Sequence, residues 1–122
     1  MLRILLAEDD ESMRVYLVRA LERVGYHVTA VDRGTEAIPL LETEPFDLLL
    51  TDIVMPESNG RELAKAAERM RPDIQVLYMT GYSRNAVVHQ GRLDEGVDLL
   101  QKPVSQAQLA MRVRIALDRR RR

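Results

Sequence analysis

Residues 47–56 read Asp-Leu-Leu-Leu-Thr-Asp-Ile-Val-Met-Pro, an apolar run without alternation that ends on a carboxylate and then meets a proline. A strand with one face in water alternates apolar and polar residues. A run that does not alternate is covered on both faces, as strands of a parallel α/β sheet are. Asp52 then stands at the carboxyl end of a central strand. In open α/β sheets the ligand crevice lies outside those ends, so this carboxylate is expected to be presented to a ligand and not buried.

The chain has 122 residues, room for one domain with a real core. Its formal net charge of -1 gives no reason to expect a nucleic acid or an anionic membrane as partner. The absence of cysteine excludes disulfides, thiol catalysis and cysteine metal sites. The first apolar run, residues 4–7, is too short for a signal peptide and ends in acids, and no run reaches membrane length. A cytoplasmic protein is the expectation.

In order along the chain, residues 4–7 form a first strand that ends in Glu8, Asp9 and Asp10. Met13, Leu17, Ala20, Leu21 and Val24 then share one helix face, with Gly25 as the C-terminal cap. Residues 27–31 are a more polar edge strand. A helix over residues 35–43 has Ala37, Leu40 and Leu41 as its apolar side. An interior proline costs about 3 kcal/mol, so Pro39 predicts a late start or a kink. After Asp52, a loop over residues 56–60 leads to a helix begun by Asn59 and Glu62, with Leu63, Ala66, Ala67 and Met70 facing inward and Arg71-Pro72 ending it. Residues 74–79 make a fourth strand closing in Thr80-Gly81. Residues 83–90 make a short, weakly amphipathic helix, 91–96 a loop and 97–101 a fifth strand that delivers Lys102-Pro103. Ser105 and Gln108 start a last helix whose inner face is Leu109, Val113, Ala116 and Leu117. Five strand–helix units in succession predict one domain over 1–122, a doubly wound five-stranded parallel sheet with helices on both faces.

The strand ends carry Glu8 and Asp9, Asp52, Thr80 and Lys102. Carboxylates that converge from separate elements repel one another unless a cation sits between them. An oxygen-only cluster without His or Cys suits Mg²⁺, which keeps several waters and accepts phosphate oxygens. A hydroxyl and an ammonium beside it are what a phosphoryl group needs. The chemistry this points to is phosphoryl transfer onto a carboxylate nucleophile.

The succession Glu8-Asp9, Asp52-Ile53-Val54-Met55-Pro56, Thr80-Gly81 and Lys102-Pro103 resembles the receiver domain of bacterial two-component response regulators over essentially the whole chain. The resemblance implies a flavodoxin-like strand order 2-1-3-4-5, for which a family member is a stock example. It also implies that Asp52 accepts a phosphoryl group from the phosphohistidine of a histidine kinase or histidine phosphotransferase. Asp9, Asp52, Glu8 partly through water, and the backbone carbonyl of Val54 would hold Mg²⁺. Thr80 and Lys102 would contact the phosphoryl oxygens, and Lys102-Pro103 would be a cis peptide. Asp10 is the less favoured ligand. The chain would be a phosphoacceptor and not an enzyme, a stand-alone regulator or the receiver segment of a hybrid kinase. It would signal to a downstream protein target as a monomer or a weak phosphorylation-dependent dimer.

Three positions depart from the family pattern. Asn59 stands for a common Asp and Val104 for a common Phe, and Leu99 stands where many receivers have an inward-swinging aromatic. Tyr78-Met79-Thr80-Gly81-Tyr82 is similar to a receiver branch with a Phe-Ala-Thr-Gly-Tyr pattern, which makes Tyr82 the alternative switch residue. A Mg²⁺-dependent aspartate-nucleophile phosphatase is the rival function, but its signature has a second Asp where this chain has Val54. His27 and His89 read as surface or edge residues, and Arg119 to Arg122 as a solvated run that offsets a helix dipole.

Overall fold

The computed structural model describes residues 1–55, 58–80 and 99–119. Its sheet is built from β1 (Arg3–Ala7), β2 (His27–Val31), β3 (Leu48–Asp52), β4 (Gln75–Thr80) and β5 (Leu99–Gln101), all parallel, in the order β2-β1-β3-β4-β5. The described helices are α1 (Glu11–Arg23), α2 (Gly34–Thr43), α3 (Gly60–Met70) and α4 (Gln106–Asp118). This is the expected doubly wound, flavodoxin-like sheet. The expected helix over 83–90, the loop over 91–96, Val97 and Asp98 of the fifth strand, and Tyr82, His89 and Arg120 to Arg122 lie outside the described residues.

The apolar runs lack alternation because each face of the sheet has its own core. Ile4, Leu6, Leu48, Leu50, Leu77, Met79 and Leu100 pack with Leu17 and Leu21 of α1 and Leu109, Val113 and Leu117 of α4. The residues between them, Leu5, Ala7, Leu49 and Tyr78, pack on the other side with Ala37 and Leu41 of α2 and Leu63, Ala64 and Ala67 of α3. Every residue of β3 is buried. Burying one such side chain contributes about 1.5–3 kcal/mol, so the two layers together hold the central strand from both sides.

The helix ends follow the capping residues. Asp10 caps α1 by accepting from the Met13 amide at 2.8 Å, Asn59 caps α3 from Glu62 at 2.8 Å, and Ser105 caps α4 from Gln108 at 3.1 Å. Gly25, at φ +100, makes the turn from α1 into β2, a conformation that a Cβ would strain. β2 is the sheet edge, and His27 on it is exposed.

Three local expectations fail and a fourth is narrowed. Of the late start or kink expected from Pro39 the late start is excluded, since α2 starts at Gly34 and runs through Pro39. Thr35, whose carbonyl the missing N–H would have served, and Pro39 are both exposed, so the lost bond falls on the solvent side of the helix. Val24 is 46% exposed, because it is the C-cap at which the chain already turns away from the face of Leu17 and Leu21. On α3 the buried positions are Gly60, Leu63, Ala64 and Ala67, while Ala66 is half-buried. The segment after Asp52 is not plain loop: Val54–Met55 and Ser58–Asn59 form a short antiparallel ladder. No described helix is long and apolar enough to cross a membrane.

Burial pushes the Tyr78 phenol above its ordinary range, with the Arg61 guanidinium 5.8 Å from the ring centroid opposing it. An unfolded chain ionises Tyr78 near its usual pKa of about 10, whereas the native one keeps its proton longer, so this residue's stability contribution is intact below about pH 10 and is lost as the pH rises through its native pKa. Denaturant titrations of wild type and Tyr78→Phe between neutral pH and pH 11 are expected to run parallel at first. Above pH 10 the wild type should lose stability faster.

Candidate phosphoacceptor and metal site

The register of the sheet assembles the site. Ala7 pairs with Thr51, Asp52 with Met79, and Thr80 with Gln101, so Glu8, Asp52, Thr80 and Lys102 all emerge at one edge. Pleat parity then sorts them. Glu8 follows Ile4 and Leu6, Asp52 follows Leu48 and Leu50, and Lys102 follows Leu100, so all three continue the α1/α4 side of the sheet. Thr80 follows Tyr78 onto the opposite side.

The Lys102 ammonium lies 2.7 Å from Glu8 Oε1 and 3.0 Å from Asp52 Oδ2. Glu8 is fully buried, and its Oε2 accepts from the Asp10 amide at 2.9 Å. Its backbone is fixed as well: the amide donates to Val31 and the carbonyl accepts from Arg14 Nη1 at 2.8 Å. Burial pushes the Glu8 carboxyl above the usual carboxylate range against the pull of Lys102 and the Asp10 amide. Burial also works against the charge on Lys102, but the two carboxylates outweigh it and hold the ammonium above its usual pKa.

Asp52 is 6% exposed, which overturns the expectation of an unburied carboxylate. The Lys102 ammonium lies against the carboxylate and against Glu8 beside it, which shields the strand end from water. Its Oδ1 is buried without a hydrogen-bond partner among the described residues. Glu8, Asp9 and Asp52 each offer a carboxylate oxygen, all within 4.8 Å of one another. Three carboxylates gathered around one ammonium, with an orphaned buried oxygen among them, make an oxygen-only donor set that fits a divalent cation. Asp9 is exposed and forms the open rim of the group. Asp10 uses its carboxylate on the α1 cap instead.

Of the other expected residues, Thr80 is buried at the end of β4, and its carbonyl accepts from the Lys102 amide at 2.8 Å. Val54 lies in the short ladder with its side chain 51% exposed. Leu99 is half-buried opposite Tyr78 in the sheet and packs in the α2/α3 core. Lys102-Pro103 is cis.

One residue that shapes the site carried no clear signal in the sequence. Gly60 opens α3, donates to the Ile53 carbonyl at 2.7 Å, and sits so close to β3 that an added Cβ would lie 2.1 Å from the Asp52 carbonyl oxygen. A glycine at the start of a helix, eight residues after the strand-end acid, was the only hint.

A family model for the response regulator receiver domain matches residues 4–114. The chain belongs to this family. "Response regulator receiver protein CpdR" of Brucella abortus (strain 2308) is 50% identical over 103 residues, 84% of this chain and 86% of that protein. "Sensor kinase CckA" of the same organism is 34% identical over 118 residues, which are 95% of this chain and 12% of the kinase. Among solved structures, a CheY-like receiver domain from Methanospirillum hungatei JF-1 aligns with a TM-score of 0.87 at 30% identity over 99% of this chain and 97% of that one. The receiver domain of the hybrid histidine kinase CckA aligns with a TM-score of 0.79 at 32% identity, covering 94% and 98%. This receiver is thus similar both to a protein of about its own length and to one segment of a much longer kinase. Membership in this signalling family disfavours the phosphatase alternative.

Gly60→Ala in this receiver is expected to cost about 1–3 kcal/mol in urea unfolding, as overpacked sites do. Because the displaced atom is the Asp52 carbonyl, the backbone amide resonances of Asp52 and Ile53 should move more than those of the distant edge strand β2. Stability within a few tenths of wild type would show that α3 does not bear on the site.

Proposed function

We propose that this receiver accepts a phosphoryl group from a phosphohistidine onto Asp52 and thereby changes its contacts with a downstream protein. The observation that carries this reading is the Lys102 ammonium shared between Glu8 and Asp52 beside the orphaned Asp52 Oδ1. In the transfer the phosphorus–nitrogen bond of the donor breaks as a phosphorus–oxygen bond to Asp52 forms, and the imidazole keeps the electron pair.

Asp9 and Asp52 would hold Mg²⁺ directly, with the Val54 carbonyl as a further ligand. Glu8 would act through water, since the Asp10 amide holds its Oε2 and the Lys102 ammonium lies beside its Oε1. When bound, the cation supplies positive charge for the transferring phosphoryl oxygens. Lys102 orients the nucleophile through Oδ2 before transfer and pairs with a phosphoryl oxygen afterwards. Thr80 donates its hydroxyl to another phosphoryl oxygen. With Leu99 in place of an aromatic reporter, the response is carried by Thr80 and the segment that Tyr82 belongs to. The donor is a histidine kinase or a histidine phosphotransferase, and the chain promotes only its own phosphorylation and dephosphorylation.

Incubation with a phosphohistidine donor and Mg²⁺ should label wild type and leave Asp52→Asn at background, read by intact mass. Asp9→Ala should weaken Mg²⁺ binding by more than about tenfold and lose labelling together with it. His27→Ala should change neither. Equal labelling of Asp52→Asn at another carboxylate would overturn the assignment.

A further inference from the structure

Lys102 is long and flexible, and four side-chain torsions must be frozen to keep its ammonium on two carboxylates. That is achieved most economically by fixing the backbone from which it springs. On the strand side its amide donates to Thr80. On the far side, the Tyr16 hydroxyl reaches across from α1 and donates to the Val104 carbonyl at 2.9 Å, 88 residues away in sequence. Val104 is itself buried, and Ser105 after it caps α4. The four residues from Lys102 to Ser105 are therefore pinned at both ends, and one pin is a phenol from another helix.

The space around the ammonium gives this pin a purpose. An open cavity of about 340 Å³ lies beside Lys102, lined by Asp10, Ser12, Met13, Tyr16 and Lys102 itself. Tyr16 also lines a second cavity of about 310 Å³ on the flank of α1. The ammonium thus has carboxylates on one side and, on the other, room enough to swing out toward solvent and the Asp10 carboxylate. Tyr16 and Ser12 line both cavities.

We propose that Tyr16 is a positioning residue for Lys102: its hydroxyl holds the turn after β5 so that the ammonium stays on Glu8 and Asp52 instead of turning into the neighbouring cavity. The consequence for phosphoryl transfer rests on the phosphoacceptor reading above, whereas the positioning itself does not. Tyr16 touches neither Asp52 nor the acids, so its loss leaves metal binding largely as it is and acts on the step that needs Lys102.

The sequence makes a clean test possible, because Lys65 and Lys102 are the only lysines and Lys65 is exposed. Brief treatment of the whole, metal-free chain with acetic anhydride, followed by peptide mass spectrometry, gives the acetylation of Lys102 relative to Lys65. In Tyr16→Phe this ratio should rise about fivefold, the equivalent of one hydrogen bond's net worth, and it should not move in the surface control Val15→Ala. With acetyl phosphate and saturating Mg²⁺, the rate of Asp52 labelling in Tyr16→Phe should fall by about the same factor while its Mg²⁺ affinity stays within about twofold of wild type. An unchanged acetylation ratio overturns the proposal, even if Tyr16→Phe melts earlier, since that would make the hydroxyl purely structural. A raised ratio in a protein whose wild type takes no label supports the positioning role and overturns the phosphoacceptor reading instead.

Discussion

An ammonium shared by two buried carboxylates is the constraint around which this fold is arranged. Removing either partner from a buried ion pair costs about 3–5 kcal/mol, because the charge left behind has no water to turn to. Glu8, Asp52 and Lys102 come from β1, β3 and β5, and their side chains can meet only if each strand ends at the right residue and in the right pleat phase. A slip of one residue in any of the three would turn its charge into the α2/α3 core. Specificity of register and assembly of the site are therefore one requirement. The even phase of the three strands, set by Ile4 and Leu6, Leu48 and Leu50, and Leu100, satisfies both.

The first turn of α1 carries more of the site than its length suggests. Asp10 contributes twice: its amide holds Glu8 Oε2 and its carboxylate caps the helix through Met13. Arg14, one turn on, returns to the Glu8 carbonyl, and Tyr16 reaches the segment after Lys102. The same helix buries Leu17, Ala20 and Leu21 against the sheet, so the apolar face fixes where its polar N-terminal residues stand. Local capping, core packing and site geometry are thus settled by one amphipathic segment.

Much of this was legible because it depends on short-range pattern. Unalternating Leu48 to Leu50 reports a strand covered on both faces, Gly25 a helix end, and Asn59 and Ser105 helix starts, each a property of a few adjacent residues. The features that escaped depend on contacts between segments. Asp52 looks exposed from its place at a strand end and is buried because Lys102, fifty residues later, lies over it. On α3 it is Ala64, not Ala66, that is buried beside Leu63 and Ala67, in a helix whose first residue, Gly60, packs on the Asp52 backbone. Pro39 is tolerated because its missing bond falls on the wet side of α2, and periodicity alone does not say which side is wet. Tyr16 gave no hint, since a half-exposed aromatic on a helix is ordinary until its hydroxyl finds a distant carbonyl.

The distribution of burial also decides from where chemistry can reach the site. Glu8 and Asp52 are buried, and Lys102 closes the α1/α4 side with its stem. Asp9 and Val54 remain exposed at the rim. Of the group that would hold a divalent cation, Asp9 is exposed and the Asp52 Oδ1 behind it is buried and orphaned. Among the described residues the exposed acid of the group is therefore Asp9, while the Lys102 bridge behind it ties the ends of β1, β3 and β5 together.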